Sequence, residues 1–212
     1  LPTHRWQEPK NEFRPERIGT ITASQWSSAS ILTIPYLYFR ELGVDGIRGA
    51  TLKAIENANY LKNSLKDYYK VTQGEVAHEF LIDLSEFKHI SEVDVSKRLI
   101  DYNFHPPTMS WPKKSTLMVE PTESESKEEM DRFISAMISI RREIDEQPEL
   151  LKNAPHPIKL ITSTWEFPYS QKKAFFPSND LLSRKHWPTT SRVNDLYGDK
   201  IIYHALRTVL TQ

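Results

Sequence analysis

The sequence has 212 residues with 28 basic and 28 acidic side chains, so no net charge draws it to nucleic acid or to an acidic membrane surface. The absence of cysteine excludes disulfides, thiolate nucleophiles and cysteine-ligated zinc. A hydrophobic content of 38%, with 14 prolines against 6 glycines, points to one domain with a core, or one and a half, carrying long irregular stretches.

The opening "LPTHRWQEPK" has no initiator Met and matches neither a signal nor a transit peptide; it reads as the middle of something longer. Residues 1–25 are polar and without periodicity, a loop or extended stretch. No apolar run approaches the roughly 20 residues of a membrane span. From Ser27 the chain becomes "SSASILTIPYLYFRELG", a predicted buried helix ending at Gly43, with Ser27 or Ser28 near its N-cap and Pro35 weakening its middle. A second helix follows Asp45. Ala54, Ala58, Leu61, Leu65 and Tyr68 mark its apolar face, with Lys53, Asn57, Lys62 and Lys66 on the polar side.

"VAHEFLIDL" (76–84) alternates with period two and predicts a half-buried strand, with His78 on its apolar side as a structural residue rather than a ligand. Ser91 and Asp94 form a capping box that opens a helix through Val95, Leu99, Ile100 and Tyr102, and Asn103 suits the left-handed residue that stops it. Two extended segments, "PTMSW" (107–111) and "TLMVE" (116–120), are followed by a helix capped by Ser126 and Glu129, with Met130, Phe133, Ile134, Met137, Ile138 and Ile144 on one face. The acids of "STLMVEPTESE", Glu123 and Glu125, then read as partners of that helix's positive end. The histidines are scattered, which speaks against a metal site.

Residues 70–147 therefore form a β-α-β-β-α unit, a small α+β layer preceded by a long helix. Residues 148–212 lack periodicity and combine prolines with Trp165, Tyr169, Phe175, Phe176, Trp187 and Tyr197, the composition of a tail that wraps over a body.

Several stretches carry a family likeness: "IGTITASQWSSASIL" (18–32), "AHEFLIDL" (77–84), "KRLIDYNFHPPTMSWP" (97–112), "TLMVEPTESE" (116–125), "DRFISAMISIRREI" (131–144) and "YGDK" (197–200). In these the chain resembles the C-terminal part of the glycine cleavage system P-protein, the pyridoxal-phosphate-dependent glycine dehydrogenase (decarboxylating), from about residue 1 to residue 200. The resemblance implies an α/β chain of fold type I. Residues 1–45 would end the large cofactor domain, 46–69 form the linking helix, 70–147 the small α+β domain, and 148–212 the irregular tail. It also implies decarboxylation of glycine with transfer of the aminomethyl group to the lipoyl group of H-protein, in a homodimer or heterotetramer of the mitochondrial matrix in eukaryotes or the cytoplasm in bacteria.

The lysine that holds pyridoxal 5'-phosphate lies upstream of the matching segment in the family, so this chain is expected to lack it and to be inactive alone. Ser27, Ser28 and Ser30, at a helix start, are candidates for phosphate or dimer contact, or simply cap the helix. His105, Thr108 and Ser110, on a proline-braced segment, are the substrate-proximal candidates. Serine replaces the family's glycine at 27 and 115, and asparagine replaces it at 103. Such changes matter where the backbone needs a positive φ, and they keep open a diverged, non-catalytic relative with a structural or binding role. Another fold type I enzyme, such as an aminotransferase, is the third reading. The apolar helix carrying Tyr38 and Phe39 and the Ala-lined helix would be exposed in isolation, so an obligate partner is expected.

Overall fold

The computed structural model describes residues 28–194 together with 197, 198, 201 and 208. They fall into two compact units, one ending at Gly49 and one from Ala50 onward. In the first unit a 3₁₀ turn, Ala29–Leu32, leads into helix α1, Thr33–Leu65, whose regular path is broken at Gly43. Gly43 has φ 62, a conformation that costs glycine little and other residues more. Pro35 falls in the first turn, where its missing N–H would have no helical partner, rather than weakening the helix's middle. This stretch exposes apolar side chains all round: Ile34 is 70% exposed, Leu37 58%, Phe39 56% and Val44 85%. The expectation of a buried helix therefore does not hold within the described residues. A helix apolar on every side belongs to a larger body.

In the second unit α1 buries Ala58, Leu61 and Leu65, as its periodicity predicts. Asn57 and Lys62, expected on the polar side, are buried too. Each is satisfied: Asn57 donates to the Thr122 carbonyl at 2.9 Å, and the Lys62 ammonium donates to Asn59 and to the Gly74 carbonyl. Tyr68 is exposed, and its neighbour Tyr69 takes the core position, donating to the Met137 carbonyl at 2.8 Å.

Strands β1 (Lys70–Val71), β2 (Phe80–Asp83), β3 (Thr108–Met109) and β4 (Thr116–Val119) form one antiparallel sheet in the order β1-β2-β4-β3. Phe80 faces Val119 and Ile82 faces Leu117, so these four apolar side chains share a face. Strand β2 begins at Phe80 rather than at Val76. His78 lies before it and is exposed beside Glu79 and Glu120, not on an apolar face. Helices α2 (Glu92–Asp101) and α3 (Lys127–Glu146) complete the layer, and one core unites Phe80, Ile82, Leu117 and Val119 with Val95 and Leu99 of α2 and Met130, Met137, Ile140 and Ile144 of α3.

The helix ends follow the sequence closely. Ser91 and Asp94 make both halves of the capping box. Ser126 accepts from the Glu129 N–H, but the Glu129 carboxylate turns to Arg132 instead of completing a second box. Asn103 and Ser115, where the resemblance expects glycine, hold φ of 63 and 59. Both residues adopt the left-handed conformation that such a position favours. For Ser115 this costs about 1 kcal/mol, whereas Asn adopts it more readily.

The tail contributes short helices α4 (Pro148–Asn153), α5 (Gln171–Phe175) and α6 (Leu181–Arg184), and it plants Leu150, Leu151, Ala174, Phe175 and Leu181 among the buried residues. Among the described residues no helix is long and apolar enough to cross a membrane.

Candidate functional site

A cleft of about 490 Å³ opens between the segment joining α2 to β3, the end of β4 and the first turns of α3. Val119, Met130, Phe133 and Leu61, all buried, form its floor. Its polar lining comes from two stretches: Asn103, His105 and Thr108 on one side, and Glu120, Glu125 and Glu129 on the other.

Each wall has a structural reason for its position. Asn103 ends α2, donates to the Arg184 carbonyl at 2.7 Å and accepts from the His186 N–H at 3.0 Å, which ties the tail to the rim. Phe104 packs edge-on against Phe133 at 5.4 Å, and the Arg132 guanidinium sits 3.8 Å from the Phe104 ring centre. Arg132 also donates to the Tyr102 carbonyl at 2.8 Å and grips the Glu129 carboxylate. That hydrogen bond holds the Glu129 carboxyl below the usual carboxylate range, and Arg184 assists. Opposite, the Asn57 amide fixes the Thr122 carbonyl, while Tyr60 donates to Asp131 and accepts from Lys127, both on α3, and so ties α1 to α3. The acids quoted from "STLMVEPTESE" thus follow a strand and precede a helix, and Glu125 reaches the cleft.

Of the substrate-proximal candidates, His105 and Thr108 meet at the cleft. Both are exposed, and His105 makes no hydrogen bond among the described residues. Ser110 does not line it. With φ 55 its hydroxyl turns away to donate to Glu92. Of the cofactor candidates, Ser27 lies outside the described residues. Ser28 precedes the 3₁₀ turn without forming a side-chain cap, and the Ser30 carbonyl accepts from the Thr33 hydroxyl at 2.8 Å. Both belong to the first unit.

The residues of the cleft do not fit pyridoxal phosphate. Among the described residues no lysine or arginine lines the cleft, and its carboxylates would repel a phosphate group. Among the described lysines burial pulls Lys185 down to about 8, but it is committed to the Asp101 carbonyl and is not part of the cleft lining. Lys113, just before β4, is paired with Asp83 at 2.7 Å. The cleft offers an imidazole, a hydroxyl and carboxylates over an apolar floor, which suits holding a small molecule and exchanging protons with it.

Sequence reasoning misses the most heavily bonded group of the body. Arg98 is fully buried and faces Asp101, Glu143 and the tail carbonyls of Lys173 and Ala174, while His156 joins Asp101 to Tyr169. The signal that could have found it is Arg98 and Asp101 three apart on the face of Val95, Leu99 and Tyr102, where charges are out of place unless paired.

Residues 50–156 match the family described as "Glycine dehydrogenase, C-terminal domain". The chain is 48% identical, over 94% of its length, to the Pisum sativum protein named glycine dehydrogenase (decarboxylating), mitochondrial, and covers 20% of it. Against the glycine dehydrogenase (decarboxylating) of Christiangramia forsetii it is 48% identical over 86% of its length, covering 20% of that protein. With the Yersinia pestis protein of that name the figures are 46%, 87% and 21%. The chain spans about 20% of the length of the curated relatives it matches.

Proposed function

The chain belongs to the glycine dehydrogenase (decarboxylating) family, to the part that forms its C-terminal domain, and from that membership we propose that it is the C-terminal segment of an enzyme that decarboxylates glycine and passes the aminomethyl group to the lipoyl group of H-protein. The observation that carries this reading is the similarity itself, which extends over nearly the whole chain. In the same proposal the complete protein is of fold type I and holds pyridoxal phosphate mainly through residues beyond those described. Bound there, the cofactor supplies the electron sink for loss of carbon dioxide. Ser28 and Ser30 belong to this proposal as phosphate or dimer contacts, and the matrix of mitochondria or the bacterial cytoplasm as its setting.

In this reading the contribution of the described residues is the cleft. Its apolar floor excludes water, Thr108 orients a bound group, and His105 holds or moves a proton at its imidazole. The body places both side chains by firm means: the Asn103 turn on one side and the β3–β4 pairing of Thr108 with Met118 on the other.

The test is exchange of labelled bicarbonate into the carboxyl group of glycine, measured on the full-length protein. The unmodified protein is expected to exchange. His105→Ala is expected to slow the exchange at least tenfold, while His78→Ala, at an exposed position outside the cleft, leaves it unchanged. A full-length protein with no exchange would remove the proposed activity. A fully active His105→Ala would remove the proposed role of the cleft.

A further inference from the structure

A second cavity, of about 470 Å³, lies where the end of α3 meets the tail around α5. Three cations line it: Arg142 from α3, and Lys172 and Lys173 from α5. None of the three side chains has an ion pair or hydrogen bond among the described residues. All three are exposed, and three cations lining one cavity attract an anion to it.

The two acids of the lining do not balance them. Glu143 is already neutralised, since Arg98 donates to both its oxygens at 2.8 and 2.9 Å and Tyr102 donates at 3.0 Å. That leaves Glu146 against three positive groups. The hydroxyls of Ser139 and Ser170 and the amides of Gln147 and Asn179 add donors. One wall is apolar, with Phe176, Pro177 and Leu150.

The site is also held in shape. Arg98 clamps the α5 carbonyls of Lys173 and Ala174 at 2.9 and 3.0 Å, so the two lysines ride on a fixed turn rather than a loose loop. A concave site of this size encloses a small molecule better than a protein surface.

We propose that this cavity binds a small phosphate-bearing ligand, the phosphate between Arg142, Lys172 and Lys173 and the ligand's body on Phe176 and Pro177. It stands apart from the His105 cleft and is independent of the proposed decarboxylation.

Isothermal titration of the protein with inorganic phosphate, pyrophosphate and phenyl phosphate tests it. Pyrophosphate is expected to bind saturably and to weaken as salt is added. Phenyl phosphate is expected to bind more tightly than inorganic phosphate because of the apolar wall. Lys172→Gln and Lys173→Gln are each expected to weaken pyrophosphate about three- to tenfold, with Arg142→Gln/Lys172→Gln/Lys173→Gln losing it altogether. All three side chains are unpaired among the described residues, so the melting temperature serves as a check that these variants remain folded. The proposal is overturned if the unmodified protein and the folded triple variant respond alike to pyrophosphate, whether by equal binding or by none.

Discussion

An Arg98→Ala variant is expected to lose about 3–5 kcal/mol of folding stability, a large part of what a domain of this size possesses. The guanidinium is fully buried, and every one of its N–H groups is used. Nε and one Nη2 hydrogen meet the two Glu143 oxygens at 2.8 and 2.9 Å. Nη1 serves Asp101 and the Ala174 carbonyl, both at 3.0 Å, and the remaining Nη2 hydrogen serves the Lys173 carbonyl at 2.9 Å. Asp101 in turn accepts from the His156 backbone at 2.8 Å and contacts its Nδ1 at 2.7 Å, and Nε2 lies 3.0 Å from the Tyr169 hydroxyl. One cation thus joins α2, α3 and the tail. Its removal leaves a buried carboxylate without its counter-charge and two carbonyls without donors, which costs more than the pair contributed. Urea unfolding measures the loss. A deficit below about 1 kcal/mol would show that the clamp relaxes or hydrates, and that Arg98 does not hold the three elements together.

Acid is expected to unfold the second unit through the same groups. Burial pushes the Asp101 carboxyl up, but the His156 hydrogen bonds and the Arg98 charge outweigh it and hold the group below the usual carboxylate range. The Lys113 hydrogen bond, with help from Ser85, holds Asp83 low as well, and Arg132 does so for Glu129. In each case the folded pKa lies below the unfolded one. The stabilisation is therefore fully present above the unfolded carboxylate value of about 4 and is lost as the pH falls through the folded values. The melting temperature should stay level from neutrality to about pH 5 and then fall. Asp101→Asn should start lower at neutral pH and show a shallower acid limb, because its share is already gone. Glu129 is more exposed, so solvent screening makes its share smaller. An Asp101→Asn variant with the unmodified protein's acid limb would remove Asp101 from the explanation.

How much of the structure is legible in the sequence depends on how local the cause is. The capping box at Ser91, the left-handed stop at Asn103 and the Ser126 cap are settled by two or three neighbouring residues, and all three appear as read. The apolar face of α3 is legible for the same reason, with Met130, Phe133, Met137 and Ile144 buried. Alternation fails at His78 because the period-two pattern runs past the residues that have a strand partner. Periodicity misplaces Asn57 and Lys62 because burial of a polar side chain depends on distant acceptors, the Thr122 and Gly74 carbonyls, that it cannot see. The clamp is long-range throughout: Arg98 meets Glu143, Lys173 and Ala174. For the cleft, the proline-braced segment points to His105 and Thr108, but their meeting with Glu125 and Glu129 follows from the placement of α3 beside β4. The tail's composition announces single anchors such as Tyr169 and Phe175, without the short helices that deliver them.

The proposal that this chain is the C-terminal segment of a glycine-decarboxylating enzyme assigns the cofactor-bearing amine to residues outside it. Borohydride reduction of the full-length protein with pyridoxal phosphate, followed by peptide mapping, should therefore yield one labelled lysine, located outside residues 1–212. Specific labelling of a lysine within this chain, Lys185 with its lowered amine being the first to inspect, would refute that division of labour.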